Sequence, residues 1–168
     1  MVQGAQPVVG EKAPDFTLPS VDGKRIRFSE LTAGAPAVLV VLRGYPGYQC
    51  PFCNRQAQDF LGKAEAFAQS RTRVVLIYPG PPENLETRAA EFMNGKAMPE
   101  NFTLLLDAGY EFANSYGLRW NAPRETAYPS TFVINRDGVV TMSKIAKSHG
   151  GRTNAVEILE LLPKGPPR

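Results

Sequence analysis

Cysteine is scarce in this chain: 168 residues hold two, Cys50 and Cys53, beside one histidine, His149. A disulfide across so short a loop would add little stability, because the constraint on the unfolded chain grows with loop length. In a reducing compartment, two cysteines at this spacing point to catalysis or metal binding. A structural zinc site needs four ligands, which two thiols and one imidazole do not supply. No apolar run approaches the ~20 residues that span a bilayer. Nineteen basic and sixteen acidic side chains leave a net charge of +3. They are mixed along the chain with no dense Lys/Arg block, which argues against nucleic-acid and membrane-surface partners. No Gly-rich dinucleotide loop is present, so no nicotinamide, flavin or other cofactor is implied. The opening, Met1 to Pro7, has neither a basic nor an apolar signal region. The expected compartment is therefore the cytoplasm. There is no internal repeat, low-complexity segment or dividing linker.

The length suits one domain, residues 1–168, with a buried core. Residues 1–7 and 163–168 are expected to be flexible ends. Gly10 to Ser20 reads as an extended arm, and Val21 to Lys24 as a turn. Ala37 to Leu42 is a short, Val-rich, uninterrupted run, as expected of a strand covered on both faces. A Gly/Pro-rich loop, Arg43 to Gln49, follows. The second half of Cys50 to Ser70 has helical apolar spacing, and Pro51 suits a first helical position. Arg73–Tyr78 reads as a second buried strand ended by Pro79. Asn84–Met93 reads as a helix, Phe102–Leu106 as a strand, Asp107–Gly109 as a turn and Tyr110–Tyr116 as a short helix. Thr131–Asn135 and Val139–Ile145 flank the hairpin signal Arg136-Asp137-Gly138. Thr153–Leu162 is a last amphipathic helix. This order predicts an α/β fold with a mixed sheet.

The chemistry centres on Cys50-Pro51-Phe52-Cys53, which follows a buried strand and opens a helix. First-turn N–H groups and the helix dipole favour an anion there, so a thiol becomes a thiolate more easily. The spacing lets the second sulfur close a disulfide on the first. A bare CxxC is a weak signal, but strand–loop–CxxC–helix is a strong one. The bland alternative is a pair of small buried hydrophobes. Pro129 heads the strand that contains Thr131 and Phe132. Such a proline is tolerated at the start of any strand. A cis Tyr128–Pro129 bond would hold the chain near Cys50 and offer backbone groups to an extended disulfide substrate, and cis is the expectation here.

Three stretches resemble a known family. Pro14-Asp15-Phe16-Thr17-Leu18, Asp22-Gly23-Lys24 and Phe28-Ser29-Glu30-Leu31 are similar to the amino-terminal arm of the alkyl hydroperoxide reductase/thiol-specific antioxidant family. Arg43-Gly44 and Cys50 to Gln56 resemble the active-site stretch of its peroxiredoxin-like members. Pro129 to Asn135 with Asp137-Gly138 resembles the strand after the cis-proline of thioredoxin-like reductases. The resemblance runs from about Val8 to Leu162. It implies a three-layer thioredoxin-like fold, a central mixed sheet with helices on both faces, and an oxidoreductase with a separate thiol electron donor. It also allows a homodimer.

The departures from the pattern bear on activity. Typical peroxiredoxins carry Pro-x-x-x-Thr-x-x-Cys. Pro46 matches the proline and Cys53 the peroxidatic cysteine, while Cys50 replaces the threonine. The family's arginine, three residues before the Phe of the strand, is here Pro129. These losses favour thiol–disulfide exchange on a disulfide-containing substrate, with Cys50 attacking and Cys53 resolving. The attacking Cys50 is then expected to be exposed and acidic, and Cys53 shielded behind Phe52. The alternative is a thiol-dependent, antioxidant peroxidase, with Cys53 peroxidatic and Cys50 resolving. A second alternative is a non-catalytic binding module. Arg43 and Arg55 could stabilise a thiolate, although a surface arginine is the plainer reading of each. Tyr45 and Tyr48 are expected to shape the loop, and Trp120 and Tyr116 to anchor core or loop. His149 reads as a solvated turn residue. Arg152 matches a family arginine without a derivable role.

Overall fold

The computed structural model of the protein describes residues 4–163. The outermost parts of the expected loose ends, 1–3 and 164–168, lie outside the described residues. Gly4 is already tied to the domain, its N–H donating to the Asn114 carbonyl at 2.7 Å.

A small hairpin, β1 (Thr17–Pro19) and β2 (Arg25–Arg27), precedes a one-turn helix, α1 (Phe28–Leu31). The main sheet follows with β3 (Ala37–Val41), β4 (Arg73–Gly80), β5 (Phe102–Ala108), β6 (Ser130–Ile134) and β7 (Val140–Ile145). Its spatial order is β5-β4-β3-β6-β7. β3 and β4 are parallel neighbours, as are β4 and β5, while β6 runs antiparallel to β3 and β7 antiparallel to β6. The sheet is therefore mixed, as the element order implied.

The uninterrupted apolar strands are explained by their two covered faces. Val38, Val40 and Leu42, with Val74, Leu76 and Tyr78, point into one core. There they meet α2 (Pro51–Leu61), α3 (Ala64–Gln69), α4 (Leu85–Met93) and α6 (Ala155–Leu159). Leu39 and Val41, with Val75 and Ile77, point into the other. That core is closed by α1, by α5 (Glu111–Ser115) and by Phe16 of the amino-terminal arm. Alternate residues serving opposite cores is the period-two geometry of a strand, with helices on both faces removing any polar position.

Several boundaries differ from the sequence reading. Helix starts at Pro51, the first helical position that its proline suited, but Cys50–Ser70 holds two helices and not one in its second half. The break at Gly62–Lys63 turns the chain so that Phe60 and Phe67 stack at 5.6 Å. β4 does not stop at Tyr78: Pro79 and Gly80 stay in register with Asp107 and Ala108. Asp107 is a buried strand residue and not part of an open turn. Its carboxylate accepts the N–H groups of Phe112 (2.8 Å) and Ala113 (2.9 Å), capping α5, and burial pushes its pKa up to about 6.

Candidate active site

The carboxyl end of β3 delivers the chain into a loop that needs glycine at once. Gly44 has φ +70°, and a Cβ there would lie 2.0 Å from the Pro79 carbonyl oxygen. Only a residue without a side chain lets the loop pass so close to β4. Tyr78 Oη then donates to Gln49 Oε1 at 2.6 Å, and Gln49 Nε2 donates to the Arg88 carbonyl at 2.8 Å. These bonds secure the residue just before Cys50. Pro46 lies half-buried in this loop, and Tyr48 is exposed on it.

Cys50 is the N-cap of α2, with extended backbone at φ −77° and ψ 119°, and Pro51 occupies the first helical position. Cys53 therefore stands on the inward face of the first turn. Both cysteines are free thiols, Cys50 1% and Cys53 0% exposed. Shielding is not divided between them as expected, and Phe52, 38% exposed, turns outward instead of covering Cys53.

The two sulfurs differ sharply in acidity. Cys50 is held down to about 5, first because the Cys53 thiol donates to it. Burial opposes this, while the Cys53 backbone N–H and the Arg152 and Arg43 guanidiniums reinforce it. Burial pushes Cys53 well above its ordinary value, and the neighbouring Cys50 adds to the effect. The Arg43 backbone N–H still donates to Cys53 Sγ at 3.2 Å, and the Gly44 N–H also favours its charged form. Cys50 is thus the more acidic of the two thiols, and Cys53 holds its proton more tightly.

Arg152 gains a place that its sequence position did not disclose. Its Nη2 lies 3.8 Å from Cys50 Sγ. Nε donates to the His149 carbonyl (2.7 Å) and Nη1 to Gln56 Oε1 (3.1 Å). Gln56, buried on α2, donates in turn to the Thr153 carbonyl at 3.1 Å, and the Thr153 hydroxyl shares a 2.6 Å hydrogen bond with the Thr131 hydroxyl. Thr131 thus belongs to the scaffold behind Arg152. Gln56 had no chemical signal in the sequence beyond its helical offset from Cys53.

Arg43 is the clearest reversal among the surface assignments. It is 3% exposed, its Nη2 donating to Glu125 Oε1 at 2.6 Å and its Nη1 to Tyr48 Oη at 2.6 Å. Glu125 sits in a loop with no motif, so its role was not legible. His149 is likewise no solvated turn residue, for its Nε2 meets the Glu125 carboxylate at 3.0 Å. Its ring packs 5.1 Å from Trp120, which stacks on Tyr128 at 4.8 Å. Arg55 is exposed as expected, its guanidinium 4.9 Å from the Phe52 ring centroid.

The expected cis bond is absent: among the described residues every peptide is trans, including Tyr128–Pro129. The chain approaches β6 already extended, since Ala127 bridges Arg119 and the Tyr128 N–H donates to the Leu118 carbonyl at 2.8 Å. A pre-proline residue favours that conformation. The Pro129 carbonyl accepts from the Ala146 N–H at 2.8 Å, so it is part of the sheet edge and not a free acceptor for a substrate strand.

Compared with known proteins, residues 9–143 match the AhpC/TSA family. The chain is 31% identical over 159 residues to the putative peroxiredoxin bcp of Helicobacter pylori, covering 92% of this chain and 97% of that one. A putative peroxiredoxin of Mycobacterium tuberculosis is 29% identical over 140 residues, covering 80% and 83%. Among solved structures, peroxidoxin BcpB of M. tuberculosis superposes with a TM-score of 0.71 at 26% identity, covering 92% and 96%. The thiol peroxidase of Chromobacterium violaceum superposes equally well, at 0.71 and 19% identity, covering 95% of this chain and 88% of that one.

Proposed function

The chain belongs to the AhpC/TSA family of thioredoxin-fold redox enzymes, and from that premise we propose that it is a thiol-dependent peroxidase acting through Cys50 and Cys53. Thiol-disulfide reductase activity, which the motif alone favoured, has less behind it. The trans bond at Pro129 withholds the substrate-pairing edge that disulfide exchange was expected to use. The observation that carries the proposal is the closed dithiol. With the sulfurs 1% and 0% exposed, a hydroperoxide can reach them with far less opening than a protein disulfide requires.

The reaction starts from the Cys50 thiolate and Cys53 thiol. Cys50 Sγ attacks the OH-bearing oxygen of the hydroperoxide; the S–O bond forms as the O–O bond breaks. The departing oxygen leaves with the electron pair and takes its proton from the Cys53 thiol. The products of this step are a sulfenic acid at Cys50, an alcohol or water, and a thiolate at Cys53. Cys53 Sγ then displaces hydroxide from the Cys50 sulfenic acid, closing the disulfide. A separate thiol donor restores the dithiol.

One observation favours the opposite order. Cys53 falls where the family carries its peroxidatic cysteine, and its sulfur faces the N–H groups of Arg43 and Gly44. Peroxide consumption, with a small thiol as donor, separates the readings when wild type is compared with Cys50→Ser and Cys53→Ser. The proposed order expects a dimedone-trappable sulfenic acid at Cys50 in Cys53→Ser, and no fast peroxide reaction in Cys50→Ser. A sulfenic acid at Cys53 in Cys50→Ser would reverse the order. Wild type that reduces disulfides but leaves peroxide untouched would overturn the peroxidase reading.

A further inference from the structure

Arg43 is tied down on three sides and left open on a fourth. Its backbone N–H meets Cys53 Sγ at 3.2 Å. Its Nη1 is committed to Tyr48, and its Nη2 to Glu125 (2.6 Å) and the Arg124 carbonyl (2.9 Å). Glu125 is itself pinned by His149, and the Tyr48 ring lies 5.1 Å from the guanidinium carbon. A planar guanidinium held at both ends cannot swivel, so its remaining nitrogen, Nε, is fixed as well as buried. Among the described residues, Arg43 Nε is the one buried side-chain nitrogen or oxygen without a hydrogen-bond partner.

Leaving such a donor bare and burying the ion pair around it both work against stability. The ion pair with Glu125 neutralises the charge but does not use Nε. A fixed donor in a water-excluded site, next to a sulfur that must push charge onto oxygen, fits a transition state better than a resting state. Cys50 is within reach of this guanidinium, which helps to hold its thiol down.

Resting on the peroxidase reading above, we propose that Arg43 is a catalytic residue. Its free Nε–H donates to the departing oxygen of the hydroperoxide while the O–O bond breaks. The hydrogen bond strengthens as charge leaves Cys50 Sγ for that oxygen, and it persists until Cys53 delivers its proton. Glu125 and Tyr48 are positioning residues that set the plane of the guanidinium.

Two reactions of Cys50 separate this role from a structural one. Alkylation by iodoacetamide reads thiolate formation alone, whereas oxidation by hydrogen peroxide also needs the O–O bond to be polarised. Arg43→Gln should slow peroxide oxidation by about 100-fold while alkylation at pH 8 changes by less than about threefold, the size expected for one lost donor to a developing oxyanion. Arg43→Lys keeps a charge but not the rigid fork, and should also be slowed. Should Arg43→Gln fold poorly with Glu125 unpaired, Arg43→Gln with Glu125→Gln removes both charges and is read in the same way. Parallel loss of both rates, or an undiminished peroxide rate, overturns the assignment. Wild type that alkylates rapidly but does not react with peroxide would instead sink the peroxidase reading.

Discussion

Arg152 and Cys50 meet across 102 positions of sequence, the guanidinium Nη2 lying 3.8 Å from the sulfur. Arg152 is supported from behind by the His149 carbonyl and by Gln56, an uncharged amide. Gln56 orients the arginine without cancelling its charge. A carboxylate in that position would compete with the thiolate for the same cation.

Removing that charge should raise the Cys50 pKa. In wild type, Cys50 alkylation should rise with pH through about 5 and be level near neutrality. Arg152→Met should move the midpoint upward by about one unit, the effect of losing one close opposite charge. The variant should therefore be slow at pH 5 and equal to wild type at pH 8. An unmoved midpoint would mean that Cys53, the helix start and Arg43 hold the thiolate without Arg152.

Thr131→Val tests how far the scaffold behind Arg152 extends. The substitution deletes the hydroxyl paired with Thr153 at 2.6 Å, while Gln56 keeps its bond to the Thr153 carbonyl. Urea unfolding should show a loss of about 1 kcal/mol, the net value of one buried hydrogen bond. The alkylation midpoint of Cys50 should stay in place. A midpoint shift as large as that of Arg152→Met would show the network to be a single unit.

Gly44 should tolerate no side chain. Alanine would have to hold φ near +70° with its Cβ 2.0 Å from a backbone oxygen. A cost of about 2–4 kcal/mol is expected from strain and forced loop movement. Because the Gly44 N–H faces Cys53, the movement should also alter reactivity at the dithiol. Thermal unfolding of Gly44→Ala with wild-type stability would contradict the close approach of this loop to β4.

Asp107 should make stability depend on mild acid. Its folded pKa is raised to about 6 from an ordinary 3.8, so the folded state binds the proton more tightly than the unfolded state. The resulting stability is fully present below about pH 4 and is lost as pH rises through 6. Asp107→Asn should cost about 1–3 kcal/mol, because one of the two backbone N–H groups loses its acceptor. The slope of its stability between pH 4 and 6 should be flatter than that of wild type. An unchanged slope would place the titration elsewhere.

Much of the architecture was legible because it rests on local pattern. Ala37–Leu42 and Arg73–Tyr78 are apolar at every inner position, and only a two-faced central strand requires that. Pro51 after Cys50 marked the helix start, since proline costs nothing where the N–H has no partner. Helix ends were less clear. Gly62 and Lys63 break the chain after Leu61 because Phe60 and Phe67 must turn to stack, which no count of apolar spacings expresses.

By itself, the sequence determined the sheet, the place of the dithiol and the family pattern. Each depends on which residue types are neighbours in the chain, or recur with the period of a strand or helix. The acidity of Cys50 was expected from its place at the helix start, but only the tertiary structure decided which arginine is buried, that both sulfurs are closed off and what Pro129 does. Arg43 and Arg55 look alike as letters, yet one is sealed against Glu125 and the other lies in solvent. Charge at a sulfur is set by dielectric and by groups within a few ångströms, and for Cys50 these come from residues as far along the chain as Arg152. Pro129 is trans, and the backbone groups on either side of it are taken up by Leu118 and Ala146, partners that are not its neighbours in sequence.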